Sequence, residues 1–366
     1  MDLFNMILGA GIKLGASDIH LAPGSYPVYR VDRRLIFDES ILPLSGETLQ
    51  NLVEDFAKIT KNLEKVFDER KQVDFSYTFS GYRFRINLSL TKGYPTFSVR
   101  LIPNGNIDIE ATGIKDLIVR LKKINSGLIL ITGKVNSGKS TTLNAFIQEL
   151  NKEANKKIVT IEDPIEYVHA SDKCIIIQKE VGIEADVLSY YDALINLLRE
   201  DADISVLGEI RDKKTMDVAL DLAESGGLVI GTLHTRSCGE TIERIINMYE
   251  PTDQASIKNT VSNILKLVIS QKLLVAKTGG LILAPEIMVV TSTIAAQIRQ
   301  AKFSVSEIED SVHSLRLSGC RSFESSLTEL YINNRIDMKT LKASVDQDKL
   351  DIIKSLIVNA GGVLEE

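Results

Sequence analysis

The run Gly133-Lys134-Val135-Asn136-Ser137-Gly138-Lys139-Ser140 places two glycines, a lysine and a hydroxyl in the order G-x-x-x-x-G-K-[ST]. Residues of these types at this spacing hold a nucleoside triphosphate. Glycine lets the backbone curl so that its N–H groups wrap the phosphates, and the start of a following helix adds roughly half a positive charge. Lys139 reaches the β- and γ-phosphates, and the Ser140 hydroxyl binds Mg²⁺. The expected phosphate-binding set is Gly133, Asn136, Ser137, Gly138, Lys139, Ser140 and Thr141, with ATP and Mg²⁺ as ligands.

Three further positions complete a hydrolytic set. The apolar run Ile158–Ile161 ends in Glu162-Asp163-Pro164, Ile204–Leu207 ends in Gly208-Glu209, and Leu228–Leu233 ends in His234. Phosphoryl transfer to water needs positioning and charge compensation more than covalent chemistry. Glu209 is assigned to orienting the water, with Glu162 the second candidate; Asp163 is either structural or on Mg²⁺. His234 could sense the γ-phosphate through a hydrogen bond and pass its loss to the adjacent helix. Along Tyr82–Leu90, Arg83, Arg85 and Asn87 alternate with Phe84, Ile86 and Leu88, giving one basic face that is either solvated or supplied to a nucleotide on a neighbouring subunit. Arg100 and Arg199 are further candidates for that role.

These side chains need elements to carry them. A strand before Gly133 and a helix over Ser140–Leu150 frame the loop, and the four runs Leu128–Thr132, Ile158–Ile161, Ile204–Leu207 and Leu228–Leu233 read as strands of a parallel sheet with crossover helices. In such sheets ligands lie beyond the carboxyl ends of the strands, so one crevice can collect the loop, the carboxylates and the imidazole. Ahead of this α/β part, Met1 to about Ile102 reads as a small α+β domain, with strands over Phe75–Phe79, Tyr82–Leu90 and Thr96–Leu101 and a polar helix at Glu47–Phe56. The turn residues Pro103-Asn104-Gly105-Asn106 suggest the boundary, so the expected division is 1–103, a linker over 104–114, and 115–366. From Asp253 onward the pattern predicts mainly helix, near Ile257–Leu274, Ile294–Ala301, Phe323–Asn333 and Leu350–Val358.

Composition narrows the partners. A net charge of −6 would repel a polyanion, which disfavours nucleic acid. Cys174, Cys238 and Cys320 are odd in number and form no C-x-x-C pair, so neither a disulfide framework nor a four-thiolate zinc site is expected, and a reducing cytosol fits. The first residues lack the pattern of a secretory signal, and no run reaches the roughly 18 apolar residues of a membrane span.

Four blocks together resemble the secretion ATPases of type II secretion, type IV secretion and type IV pili, most of all the pilus-retraction (twitching-motility) branch. They are the Walker A loop Gly133–Thr141, an Asp box Thr160–Glu166, an atypical Walker B Ile204–Asp212, and a His box Gly227–Thr235. Ala16–His20, Arg83–Asn87, Gln178–Gly182 and Ser270–Leu274 also match, so the resemblance covers nearly the whole chain. It implies a PAS-like N-terminal domain, then a RecA-like P-loop domain with C-terminal helices. It also implies a homohexamer with nucleotide between subunits, Glu209 as general base, Glu162 aiding catalysis, and Arg83 and Arg100 approaching ATP. Such motors act at the inner face of the inner membrane on a pilus platform protein. Lys134, Val135 and Asn136 stand where the family has Pro, Thr and Gly, and Asn136 is expected to need the left-handed conformation that glycine takes more easily. Ser225-Gly226-Gly227 replaces Thr-Gly-His, and Ile294–Gln300 only approximates the branch's Ala-Ile-Arg helix. Pilus extension, secretion, nucleic-acid translocation and non-hydrolysing regulation are the competing functions.

Overall fold

The structure, a computed structural model, describes residues 1–364 apart from 32–33, 103–106, 111 and 183–185. The turn cluster Pro103–Asn106 expected as a boundary lies outside the described residues. The chain divides into two compact units: Met1–Gly105 with Glu162–Ala170 and Gln178–Tyr190, and Asn106–Ile161 with Ser171–Ile177 and Tyr191–Glu366.

The first unit is built on six antiparallel strands: β1 Asp18–Leu21, β2 Val28–Val31, β3 Arg34–Phe37, β4 Gln72–Phe79, β5 Tyr82–Thr91 and β6 Tyr94–Ile102, in the order β3-β2-β1-β6-β5-β4. Ser80 and Gly81, both at positive φ, join β4 to β5 in two residues, the turn whose twist suits a hairpin. Alternation along β5 puts Phe84, Ile86 and Leu88 in the core and leaves Arg83, Arg85 and Asn87 on the other face. The helices Asp2–Leu14 and Gly46–Ile59 contribute Phe4 and Phe56 to that core, packed edge to face at 5.0 Å.

The second unit carries seven strands: β7 Gly127–Gly133, β8 Lys157–Glu162, β9 Ile175–Glu180, β10 Ile204–Leu207, β11 Leu228–Leu233, β12 Leu265–Val275 and β13 Leu281–Val289, ordered β13-β12-β7-β11-β10-β8-β9. Glu162 and the end of β9 group with the first unit. The four apolar runs read from the sequence are β7, β8, β10 and β11, and they are consecutive parallel neighbours. Continuous burial explains why they are apolar throughout rather than alternating. The fold is thus the mixed α/β architecture expected, a small α+β unit and a P-loop unit with C-terminal helices, the last two being Met338–Ser344 and Gln347–Asn359.

One expectation is corrected. The helix predicted over Ile257–Leu274 ends at Ile264, and Leu265–Val275 is β12, parallel to β7 and antiparallel to β13. An apolar stretch buried on both faces has no helical or strand period to read. The β12–β13 pairing fixes that stretch through contacts distant in sequence.

Within this hairpin Glu286 is 5% exposed and accepts the Cys238 N–H at 2.7 Å. Burial pushes its carboxyl up to about 7, and the Cys238 contacts only partly offset this. Because the folded value lies above the ordinary 4.5, protonation favours the folded chain. This group's stabilisation is therefore full at pH 4.5 and below, and is lost as pH rises to about 7. The loss is about 3 kcal/mol. Glu286→Gln keeps an acceptor for Cys238 without the charge, and urea unfolding of this variant should show a flatter stability profile between pH 5 and 8. An unchanged slope would refute the assignment.

Candidate active site

The phosphate loop leaves the end of β7, and the helix Lys139–Glu153 begins directly after Gly138, which is left-handed at φ 88. Gly133 has φ 146, and a Cβ there would lie 2.4 Å from Ser137 Oγ and 2.6 Å from the Gln271 carbonyl oxygen. Only glycine lets β12 and the loop approach so closely. Ser137 Oγ is buried and has no hydrogen-bond partner among the described residues. A cradle shaped by an irreplaceable glycine, holding an unmatched buried hydroxyl at the start of a 15-residue helix, fits a phosphate group.

Asn136 is left-handed at φ 62, as its place in the loop led us to expect. Asn136→Gly should leave the unfolding free energy nearly unchanged, whereas Asn136→Ala should lower it by about 1 kcal/mol, because alanine lacks the local polar compensation that lets asparagine visit this region. Chemical denaturation without nucleotide measures the difference, and equal stabilities of the alanine and asparagine proteins would contradict it.

Lys139 is 9% exposed. Its ammonium donates to the carbonyls of Gly133 at 2.9 Å and Lys134 at 3.0 Å, and lies 3.5 Å from His234 Nδ1. On its other side the imidazole Nε2 is 3.2 Å from Glu209 Oε1. A single imidazole proton on Nε2 satisfies both contacts: Nδ1 accepts from Lys139 and Nε2–H donates to the carboxylate. Three of the residues singled out from the sequence therefore form one line, Lys139–His234–Glu209. Strand order is the cause, since β7, β11 and β10 are adjacent and parallel and end on the same edge of the sheet.

The turn after β10 is tied down on both sides. Gly208 N donates to the Ile161 carbonyl at 2.8 Å, Ile210 N donates to the Thr232 carbonyl at 2.9 Å, and the Thr232 hydroxyl donates to the Gly208 carbonyl. Burial pushes the Glu209 carboxyl up, but the Arg211 guanidinium at 2.8 Å and the His234 ring outweigh it, so the group lies below the usual carboxylate range. Glu209 is thereby kept ionised and able to accept a proton. Arg211 carries a contact that sequence reasoning missed, because nothing in the sequence tells an arginine two residues beyond a glutamate to fold back onto it.

The remaining candidates belong to the first unit. Glu162, 6% exposed at the end of β8, accepts from Gln178 Nε2 at 3.1 Å, while Asp163 is exposed. Arg83 Nη2 donates to Glu180 Oε2 at 3.0 Å, so the arginine read as available to a neighbour is engaged inside its own chain. Arg100 lies opposite Asp18 in the β1–β6 register and donates to it at 2.9 Å, with about two-thirds of its side chain exposed. Arg85 contacts Asp74 at 3.6 Å.

A cavity of about 770 Å³ adjoins the loop, bounded by Gly133–Ser137, Arg236, Gln271–Val275 on β12 and side chains between Asp337 and Ser344. Lys134, Arg236, Lys272 and Lys339 make this wall predominantly cationic, which suits a polyphosphate ligand. No local pattern marks this wall, because the apolar β12 run has no strand period and the Met338–Ser344 helix spans only seven residues.

Comparison with known proteins agrees with this geometry. The family described as "Type II/IV secretion system protein" matches residues 1–334. The type IV pilus retraction ATPase PilT of Pseudomonas aeruginosa is 39% identical over 306 residues, 82% of this chain and 86% of that protein. The twitching motility protein of Neisseria gonorrhoeae is 34% identical over 78% of this chain and 76% of its own length. A crystal structure of the pilus retraction motor PilT with bound ADP superposes with a TM-score of 0.84 at 35% identity, covering 95% of this chain and 98% of that one. A P-loop at the end of a central parallel strand, a histidine and a carboxylate after the next two strands on one side of it, and this extent of match establish that the chain belongs to the type II/IV secretion system protein family.

Proposed function

We propose that this protein is an ATP-hydrolysing motor that powers type IV pilus retraction, working as a homohexamer on an inner-membrane platform protein at the cytoplasmic face. The observation that carries the hydrolytic part is the line from Lys139 through His234 to Glu209, which joins a phosphate-binding cation to an ionised acceptor through one imidazole. The retraction part rests on the relatives, a retraction ATPase and a twitching motility protein. Among the described residues no helix is long and apolar enough to cross a membrane, so the proposed membrane association runs through a partner.

In this reading the loop N–H groups and Lys139 hold the β- and γ-phosphates, and Ser140 holds Mg²⁺, with Asp163 the second candidate. Bound magnesium would neutralise charge on the phosphate oxygens. Glu209 orients and deprotonates the attacking water. His234 then reports the state of the phosphates, because any movement of Lys139 toward a ligand changes what its Nδ1 faces. Arg83 and Arg100 are proposed to compensate charge at the nucleotide of an adjacent subunit, which requires Arg83 to leave Glu180.

Deleting the gene and counting surface filaments tests the direction of work. Cells bearing excess pili that do not retract support the proposal, and bald cells would instead indicate extension. Hydrolysis unchanged by added DNA or RNA is expected, since the net charge of −6 disfavours a nucleic-acid track.

A further inference from the structure

The sequence block Gln178–Gly182 has no role in the chemistry described so far, yet its contacts converge on the segment that starts at Glu162. The Gln178 amide group donates to Glu162 Oε1 at 3.1 Å and to the Tyr167 carbonyl at 2.8 Å, while its oxygen accepts from the His169 N–H at 2.8 Å. Val181 N donates to the Glu162 carbonyl at 2.8 Å. Glu180, 6% exposed, accepts from Ile165 N at 3.2 Å, from the Ser76 hydroxyl at 2.6 Å and from Arg83 at 3.0 Å.

From these contacts we infer that Gln178 and Glu180 are positioning residues for Glu162, forming a clamp that fixes the carboxylate in one orientation and fastens its segment to β4 and β5. The inference rests on the proposed motor reading, with Glu162 the second candidate for orienting the attacking water as the sequence assigns it.

The chemistry of the two side chains suits different halves of this task. Gln178 is a neutral donor, so it orients the carboxylate without cancelling its charge as lysine or arginine would. Its three hydrogen bonds leave the amide a single arrangement, since exchanging oxygen for nitrogen would set a donor against the His169 N–H and acceptors against Glu162 and Tyr167. Glu180 is acceptor-only and faces three donors, and the Arg83 cation balances its buried charge. The five-residue block therefore converts the rigidity of the β4–β5 hairpin into the aim of one catalytic candidate. It also gives Arg83 an identifiable resting partner within its own chain.

Steady-state ATP hydrolysis by the full-length protein tests the clamp. Gln178→Leu should lower kcat about 10-fold while KM for ATP stays within about twofold, because a misaimed group costs turnover rather than binding. Introduced into Glu162→Gln, the same change should cost nothing more, since it acts only through the group already removed. Glu180→Gln should also lower kcat with KM for ATP within about twofold; because it releases Arg83 as well, the Gln178 variants alone carry the test in the Glu162→Gln background. Should Gln178→Leu fail to fold, the near-isosteric Gln178→Glu replaces it; it keeps an acceptor for His169 and loses the donor to Glu162. Full kcat in a folded Gln178 variant, an equal further loss in the Glu162→Gln background, or a rise in KM with kcat intact would each overturn the inference. A wild-type chain that does not turn over ATP would instead overturn the motor reading itself.

Discussion

Glu209→Gln should bind ATP within about twofold of the wild type and hydrolyse it at least about 100-fold more slowly, the usual scale for removing a general base. The carboxylate presents acceptors to both His234 Nε2 and Arg211. An amide has one oxygen, so one of these donors is left facing an N–H. The substitution therefore removes the proton acceptor and also loosens the imidazole between it and Lys139, both of which act after binding. ATP binding measured by fluorescence, alongside phosphate release, separates the two effects. Wild-type turnover in Glu209→Gln would remove the carboxylate from the mechanism.

Lys139→Ala should fail earlier, losing about 10- to 100-fold in ATP affinity through a charge-assisted contact as well as measurable hydrolysis. The ammonium already lies within the loop, 2.9 and 3.0 Å from two of its carbonyls, so little reorganisation separates it from a phosphate oxygen. Alanine removes the cation that would meet the phosphates, and ADP should therefore stabilise the variant against heat far less than it stabilises the wild type. Retained ADP stabilisation with retained turnover would contradict the placement of the triphosphate in this loop. The pair of variants is informative as a contrast, since one binds without turning over and the other does neither.

How far the site was legible depends on the range of the interactions that make it. Strand runs β7, β8, β10 and β11 were readable because burial on both faces demands uninterrupted apolar residues, and the P-loop glycines and lysine follow one of them without a gap. The same uniformity hid β12, where an apolar run directly after the helix Gln254–Ile264 continues its pattern without a break. For Arg83, strand alternation shows only which face the side chain takes, and it leaves a solvated face and supply to a neighbour equally open. Its partner Glu180 comes from a segment 97 residues away.

By itself the sequence determined the phosphate loop, the parallel strands beside it, and the identity of the acidic and imidazole groups that follow them. These are local properties, set by backbone permissiveness, by periodicity and by residue type. Only the tertiary structure decided that His234, 95 residues from Lys139, stands between that lysine and Glu209, and that Gln178 and Glu180 hold the segment of Glu162. Neighbour relations across a sheet follow from strand order, and strand order is settled by which buried faces pack together, an outcome of the whole chain that no local pattern encodes.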